Sequence, residues 1–265
     1  MGLRTWLHEK TGINFRKTKD HIKALETQIK KLENYVPKTD YSYKVKDEFQ
    51  SFKGGNAALQ KLIEEYKFNT VLDIGAGDMQ HSKAFAKHGK QVTAVDYGTS
   101  AYFQEYVSDE GYVFNKILGD FNEIEFEQTY DCIWASHVLE HITDVNSFLA
   151  KIHSITHEGS IIAITVPFLS HNILGGHVSV WNAGLIMYRL VLAGFDCSSA
   201  SILAYQAQRW DNISVIIRKR TIHPEGIVSD VGDIRKIKHF LPENLDFRSN
   251  ERDDPFDGNI SRLNW

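Results

Sequence analysis

Between Phe15 and Val36 the apolar residues Phe15, Ile22, Leu25, Ile29, Leu32 and Val36 recur at spacings of three, four and seven, which lays them along one stripe of a helix. Pro37 ends that helix, because its ring nitrogen has no hydrogen to donate to the preceding turn. The stripe covers fewer than the ~3–4 heptads that make a coiled coil secure. Docking on the rest of the chain and pairing with a second copy as a homodimer therefore both stand open. A polar, Tyr-rich connector from Thr39 to Lys53 leads to Gly54-Gly55 and a second amphipathic segment carrying Ala58, Leu59, Leu62, Ile63 and Tyr66.

From Thr70 onward the period changes. Short β-type runs (Thr70–Ile74, Gln91–Val95, Val113–Leu118, Tyr130–Ala135 and Ser160–Val166) alternate with segments such as Gln80–His88 and Val145–Ile155 that bury one face at helical spacing. Alternating strand and helix predicts an α/β, doubly wound sheet covered on both faces. Phe195–Tyr205 and Trp210–Arg218 follow each other across a short loop, so the last of seven mostly parallel strands is expected to be antiparallel. The expected organisation is an N-terminal helical extension and connector over 1–53, a main domain over 54–220, and a polar tail over 221–265. Only Ile234, Ile237, Phe240 and Leu241 break the tail's polarity, which predicts one short helix in loosely packed coil.

Composition changes this picture little. The 265 residues are 42% hydrophobic and 24% charged with a net charge of −4, ordinary for a globular chain and not the basic surface that a dedicated nucleic-acid binder needs. No run approaches the ~18 apolar residues of a membrane span, and the first ten residues lack a signal-type apolar stretch. The two cysteines, Cys132 and Cys197, lie within apolar runs and make no disulfide framework, so a cytoplasmic protein is expected.

The candidate chemistry begins where the first strand ends, at Asp73-Ile-Gly75-Ala-Gly77-Asp78. Two glycines let the backbone turn sharply and approach a ligand closely. A dinucleotide fingerprint would carry a third glycine where Gln80 stands, and a carboxylate just before the turn suits a cationic ligand better than a pyrophosphate. The second strand ends in Asp96, about 20 residues on, where an acid can accept both ribose hydroxyls. A third acid follows the third strand, in Gly119-Asp120-Phe121.

With these residues the chain resembles the Rossmann-like, class I S-adenosylmethionine-dependent methyltransferases that act on small molecules. The resemblance is carried by Val71 to Gly77, Val95-Asp96, Gly119 to Phe121, the stretch Tyr130 to Asp144 with its Leu139-Glu-His141, and the fifth strand running into Val166-Pro167. It implies S-adenosylmethionine as cofactor, with Gly75 and Gly77 as its floor and Asp73 near the methionine amino group. Likewise Asp96 would hold the ribose, Tyr97 would pack on the adenine, and Asp120, beside Phe121, would accept from the adenine amino group. The Ser136-His137 backbone would line the methionine end, and His141 would fix the loop there. The third glycine common in the family is missing, with Asp78 or Met79 in its place.

Ligands of doubly wound sheets bind outside the carboxyl ends of the strands, so the loops 136–144, 167–181 and 205–210 are expected to converge. Methyl transfer to a hydroxyl needs a group that removes a proton, and histidine's proton affinity lies near neutrality. His177, preceded by Gly175-Gly176, is the first candidate for a base and His171 the second. His137 and His141 have the i, i+4 spacing of helical metal ligands, but Val138 stands where a zincin has Glu, so no metal is expected. Arg209, Trp210 and Trp181 are expected to grip the acceptor, an arginine fork taking phosphate or carboxylate and flat rings stacking on sugars.

Methylation of nucleic-acid amino groups, of cytosine carbon and of protein arginine each needs a motif that this chain lacks. The stretch from Gly175-Gly-His-Val to Ala193-Gly-Phe-Asp196 is similar to methyltransferases found with bacterial surface-polysaccharide assembly. O-methylation of a sugar or a phosphate-bearing glycan precursor is the expected reaction. A non-catalytic protein of the same fold and a nicotinamide-dependent oxidoreductase are the competing readings.

Overall fold

A computed structural model of the chain describes residues 15–33, 43–104, 111–167, 175–207, 210–228, 233–245, 258 and 260–265. The chain divides into two units, 1–38 and 39–265. In the first, helix α1 is described over Phe15–Glu33, and Pro37 lies outside the described residues; Ile22 and Leu25 of its stripe are half exposed.

The second unit opens with short helix α2 (Asp47–Gln50) and α3 (Asn56–Glu65), followed by β1 (Thr70–Ile74), α4 (Gln80–Lys87), β2 (Gln91–Asp96), α5 (Ala101–Gln104), β3 (Asn115–Leu118) and β4 (Tyr130–Ser136). A 3-10 turn at Leu139–His141, α6 (Val145–Ser154), β5 (Thr156–Pro167), α7 (Ala183–Leu192), β6 (Ser201–Ala207) and β7 (Trp210–Arg218) come next. The order across the sheet is β3-β2-β1-β4-β5-β7-β6, and β7 runs antiparallel to both neighbours while β1 to β5 pair in parallel. This is the doubly wound sheet with a reversed last strand. Strands β1, β2, β4 and β5 are nearly continuous apolar runs because helices cover both faces, and Leu72, Ile133, Ile162 and Ala163 are fully buried.

Two parts of the chain are more ordered than their polarity suggests. The tail helix α8 (Asp233–Ile237) buries Ile237, the following turn buries Leu241 and Leu245, and a two-residue strand β8 (Arg262–Leu263) pairs antiparallel with β6. A few apolar residues placed against an existing core suffice to dock the tail. The connector folds back as well. Phe49 is 1% exposed, Phe52 packs on His81, and the Lys53 amide donates to Gln80 Oε1 at 3.1 Å.

Candidate active site

The turn after β1 is built as its sequence demands. Gly75 and Gly77 have φ of +70° and +51°, and a Cβ on Gly75 would stand 2.5 Å from Val138 Cγ2, so only glycine fits there. In place of the third glycine, Met79 takes a left-handed φ of 64° with its side chain fully buried, and α4 starts directly after it. The Asp73 carboxylate is 2% exposed and accepts from Ser82 Oγ at 2.6 Å. Burial, and then the negative charges of Asp96 and Asp78, push its pKa up to about 7, against the lowering effect of the Ser82 hydroxyl.

Asp96, at the end of β2, accepts the Gly77 amide at 2.9 Å on one oxygen and the Gly98 amide at 2.8 Å on the other. Beyond it Tyr97 is 60% exposed and Leu118, at the end of the adjacent β3, 59%. Two large apolar surfaces are thus left bare where a flat ring could lie between them. Asp120 holds the next turn by accepting the Asn122 amide at 2.8 Å. Burial, followed by the Asp120 carboxylate, raises the Tyr97 phenol above its ordinary value. Phe121 faces inward, edge-on to Phe148 with ring centroids 5.2 Å apart, so it anchors the loop from the core side.

At the end of β4 the Ser136 and Thr165 hydroxyls are 3.0 Å apart, as the β4–β5 register requires. His137 has a left-handed φ of 56°; its Nε2 is hydrogen-bonded to Asn212 Oδ1 of β7 and its Nδ1 lies 3.7 Å from Glu140 Oε1. Glu140 is 2% exposed and burial lifts its pKa to about 8. His141 Nδ1 contacts the Gly176 carbonyl at 2.9 Å, and the rings of His141 and His177 meet edge to face at 4.8 Å. The Val178 amide donates to the Glu140 carbonyl at 2.8 Å, which holds the extended segment 177–181 against the 3-10 turn. Burial and the neighbouring His141 charge lower the pKa of His177. The next helix, α7, begins only at Ala183, where Asn182 caps it by accepting the Leu185 amide.

Residues 72–164 match the family model of a methyltransferase domain. A curated relative, the malonyl-[acyl-carrier protein] O-methyltransferase of Salmonella typhimurium, is 25% identical over 109 residues, 41% of this chain and 43% of its own. The chain therefore spans less than half the length of the curated relative it matches. Among solved structures, the 1,6-didemethyltoxoflavin-N1-methyltransferase of Burkholderia thailandensis, with 1,6-didemethyltoxoflavin and S-adenosylhomocysteine bound, superposes with a TM-score of 0.51 at 18% identity. It covers 61% of this chain and 76% of that one, a likeness of fold. Residues 72–164 therefore carry a methyltransferase domain, on the Rossmann-like fold of the class I S-adenosylmethionine-dependent enzymes.

The structure brings together Asp73, Gly75, Gly77, Asp96 and Tyr97 around one turn, and His137, His141 and His177 around one strand end. His171 and Arg209 lie outside the described residues, as does the side chain of Trp210. Trp181 departs from expectation. It is 3% exposed and its indole N–H donates to Ser179 Oγ at 2.8 Å, so it is a core residue and not an acceptor-stacking wall. Leu118, Glu140, Asn212 and Gly54 stand beside these clusters although the sequence gives none of them a site role. A Cβ on Gly54 would come 2.9 Å from the His137 ring, and only its pairing with Gly55 before a helix hinted at so close an approach.

Proposed function

We propose that the chain transfers a methyl group from S-adenosylmethionine to a hydroxyl oxygen of a small acceptor, a sugar or phosphate-bearing precursor of a surface polysaccharide. The observation that carries the reading is the edge formed by Asp73, Asp96 and Asp120 at the ends of three strands, with the glycine turn beside them and Tyr97 and Leu118 bare. Asp73 is buried with no cation against it among the described residues, which fits a ligand that brings an ammonium group. Bound there, the cofactor supplies an electrophilic methyl group on a sulfonium.

The remaining roles belong to the chain. Gly75 and Gly77 bring the backbone close, and Asp96, already oriented by two amides, has lone pairs left for ribose hydroxyls. Tyr97 offers a flat face to the adenine, Asp120 accepts from its amino group, and Phe121 steadies that loop. The Ser136-His137 backbone lines the methionine end and His141 fixes it. Proton removal falls to the imidazoles of the connection between β5 and α7, the strap, with His177 first and His171, by its sequence position, second; a proton acceptor is what a hydroxyl needs, and the curated relative is an O-methyltransferase. Arg209 and Trp210 are assigned to the acceptor by their sequence position on the β6–β7 loop.

We place the protein in the cytoplasm, where two buried free thiols are at home, and pair two copies through α1. No helix among the described residues is long and apolar enough to cross a membrane. Calorimetry with S-adenosylhomocysteine and with NAD tests the reading: binding of the first alone supports it, binding of NAD favours an oxidoreductase, and binding of neither favours a non-catalytic protein. With an acceptor in hand, Arg209→Ala should raise its KM, and unchanged kinetics would remove Arg209 from the site.

A further inference from the structure

We propose that Glu140, His141 and His177 hold a divalent transition-metal cation, zinc by the chemistry of the donors, at the carboxyl edge of β4. Among the described residues one oxygen of Glu140 and one nitrogen of each imidazole lie within 4.8 Å of one another. Small side-chain rotations bring such a set onto one ion.

Two features point to a cation there, and a third fixes the backbone that carries the donors. Glu140 is 2% exposed and neither carboxylate oxygen has a hydrogen-bond partner; His137 Nδ1 is 3.7 Å from Oε1, out of range. A buried carboxyl left so bare is costly, and a metal ion removes the cost. The His141 Nδ1 faces the Gly176 carbonyl, which can only accept, so Nδ1 carries the proton and Nε2 presents its lone pair. That is the outer-shell arrangement by which a ligating imidazole is normally held. Finally, the two segments that supply the donors are fastened to each other by backbone, Val178 to Glu140, so the cluster is fixed apart from its side chains.

Two imidazoles and one carboxylate suit zinc and its first-row neighbours, and three protein ligands leave a position free on the exposed side of His141 and His177. The i, i+4 pair His137 and His141 does not form this site. His137 is engaged by Asn212, and the third donor comes from a segment 36 residues beyond His141 that only the fold brings near.

What the cation is for rests on the proposed reaction; the site itself does not. An acceptor hydroxyl at the free position would lose its proton more readily, the proton leaving to solvent. Its oxygen would then bond the methyl carbon as the carbon–sulfur bond breaks, the electron pair staying on sulfur. The role of base given above to His177 thus belongs to the metal-free protein; in the loaded protein His177 is a ligand and solvent takes the proton.

The test is calorimetric titration of the untagged, chelator-stripped full chain with Zn²⁺, with Co²⁺ absorption as a readout of coordination. One ion per chain is expected, weakened at least tenfold by Glu140→Gln and by His177→Ala. His157→Ala, at the surface pair with Asp131, should bind as the wild type does. The exposed strap lets His177→Ala report even if the buried Glu140→Gln fails to fold. Absence of stoichiometric binding by the wild type, or wild-type binding by both Glu140→Gln and His177→Ala, would overturn the proposal. S-adenosylhomocysteine affinity, measured on the same samples, reads the methyltransferase assignment separately.

Discussion

The Asp96 carboxylate accepts the backbone amide of Gly77 at 2.9 Å, 19 residues back along the chain. The acid that would hold a ribose is therefore also a strut of the glycine turn, and its second oxygen does the same for Gly98 at 2.8 Å. Asp96→Ala is expected to weaken S-adenosylhomocysteine binding by about 1–3 kcal/mol, the loss of charge-assisted hydrogen bonds together with a slackened turn. Calorimetry reads it, and an unchanged affinity would take the ribose away from Asp96.

A second expectation concerns Asp73. Its pKa, raised to about 7 chiefly by burial, leaves the carboxyl partly protonated at neutrality, whereas an ammonium group favours the ionised form. Cofactor affinity should climb as pH rises toward 7 and level off above it. The same shift sets the sign for stability: Asp73 favours the folded state below its ordinary pKa of 3.8, and that advantage is lost as pH rises through 7. Asp73→Asn should flatten the affinity profile, and an equally steep profile in the variant would place the titrating group elsewhere.

His81 makes the acid side of the stability curve predictable. Its Nδ1 accepts the Trp134 indole N–H at 3.2 Å, and burial lowers its pKa from 6.5 to about 4. Between those values the unfolded chain binds a proton that the folded chain refuses. Stability from this residue is thus present above pH 6.5 and lost as pH falls toward 4, by about 2 kcal/mol between pH 7 and 5. His81→Gln keeps an acceptor for Trp134 without titrating. Urea unfolding at the two pH values should show a smaller loss in the variant, and equal losses would exclude His81 as the cause.

Exposed Ile22 and Leu25 on α1 lead to the fourth expectation. If the stripe pairs copies, light scattering should report a dimer for the full chain and a monomer once the residues before Asp40 are removed. A monomer in both cases would return α1 to some other use.

The strands and the glycine turn are legible in the sequence because they depend on local rules. Thr70–Ile74 and Trp210–Arg218 form the strands that their apolar runs predict, and Gly75 and Gly77 take left-handed backbone that glycine adopts without strain. The three acids stand where strands end, so strand order alone lines them along one edge. Other features depend on what a residue meets across the fold. Trp181 looks like a stacking platform until the core around α7 encloses it, and the polar connector looks like a linker until Phe49 and Phe52 find an apolar face. Glu140 shows this most sharply. Its neighbours in sequence say nothing of burial, yet β5 and the strap close over it, and His177 arrives 37 residues later beside it. Periodicity encodes the face a residue turns toward; which partner waits on that face is decided when distant segments pack and exclude water.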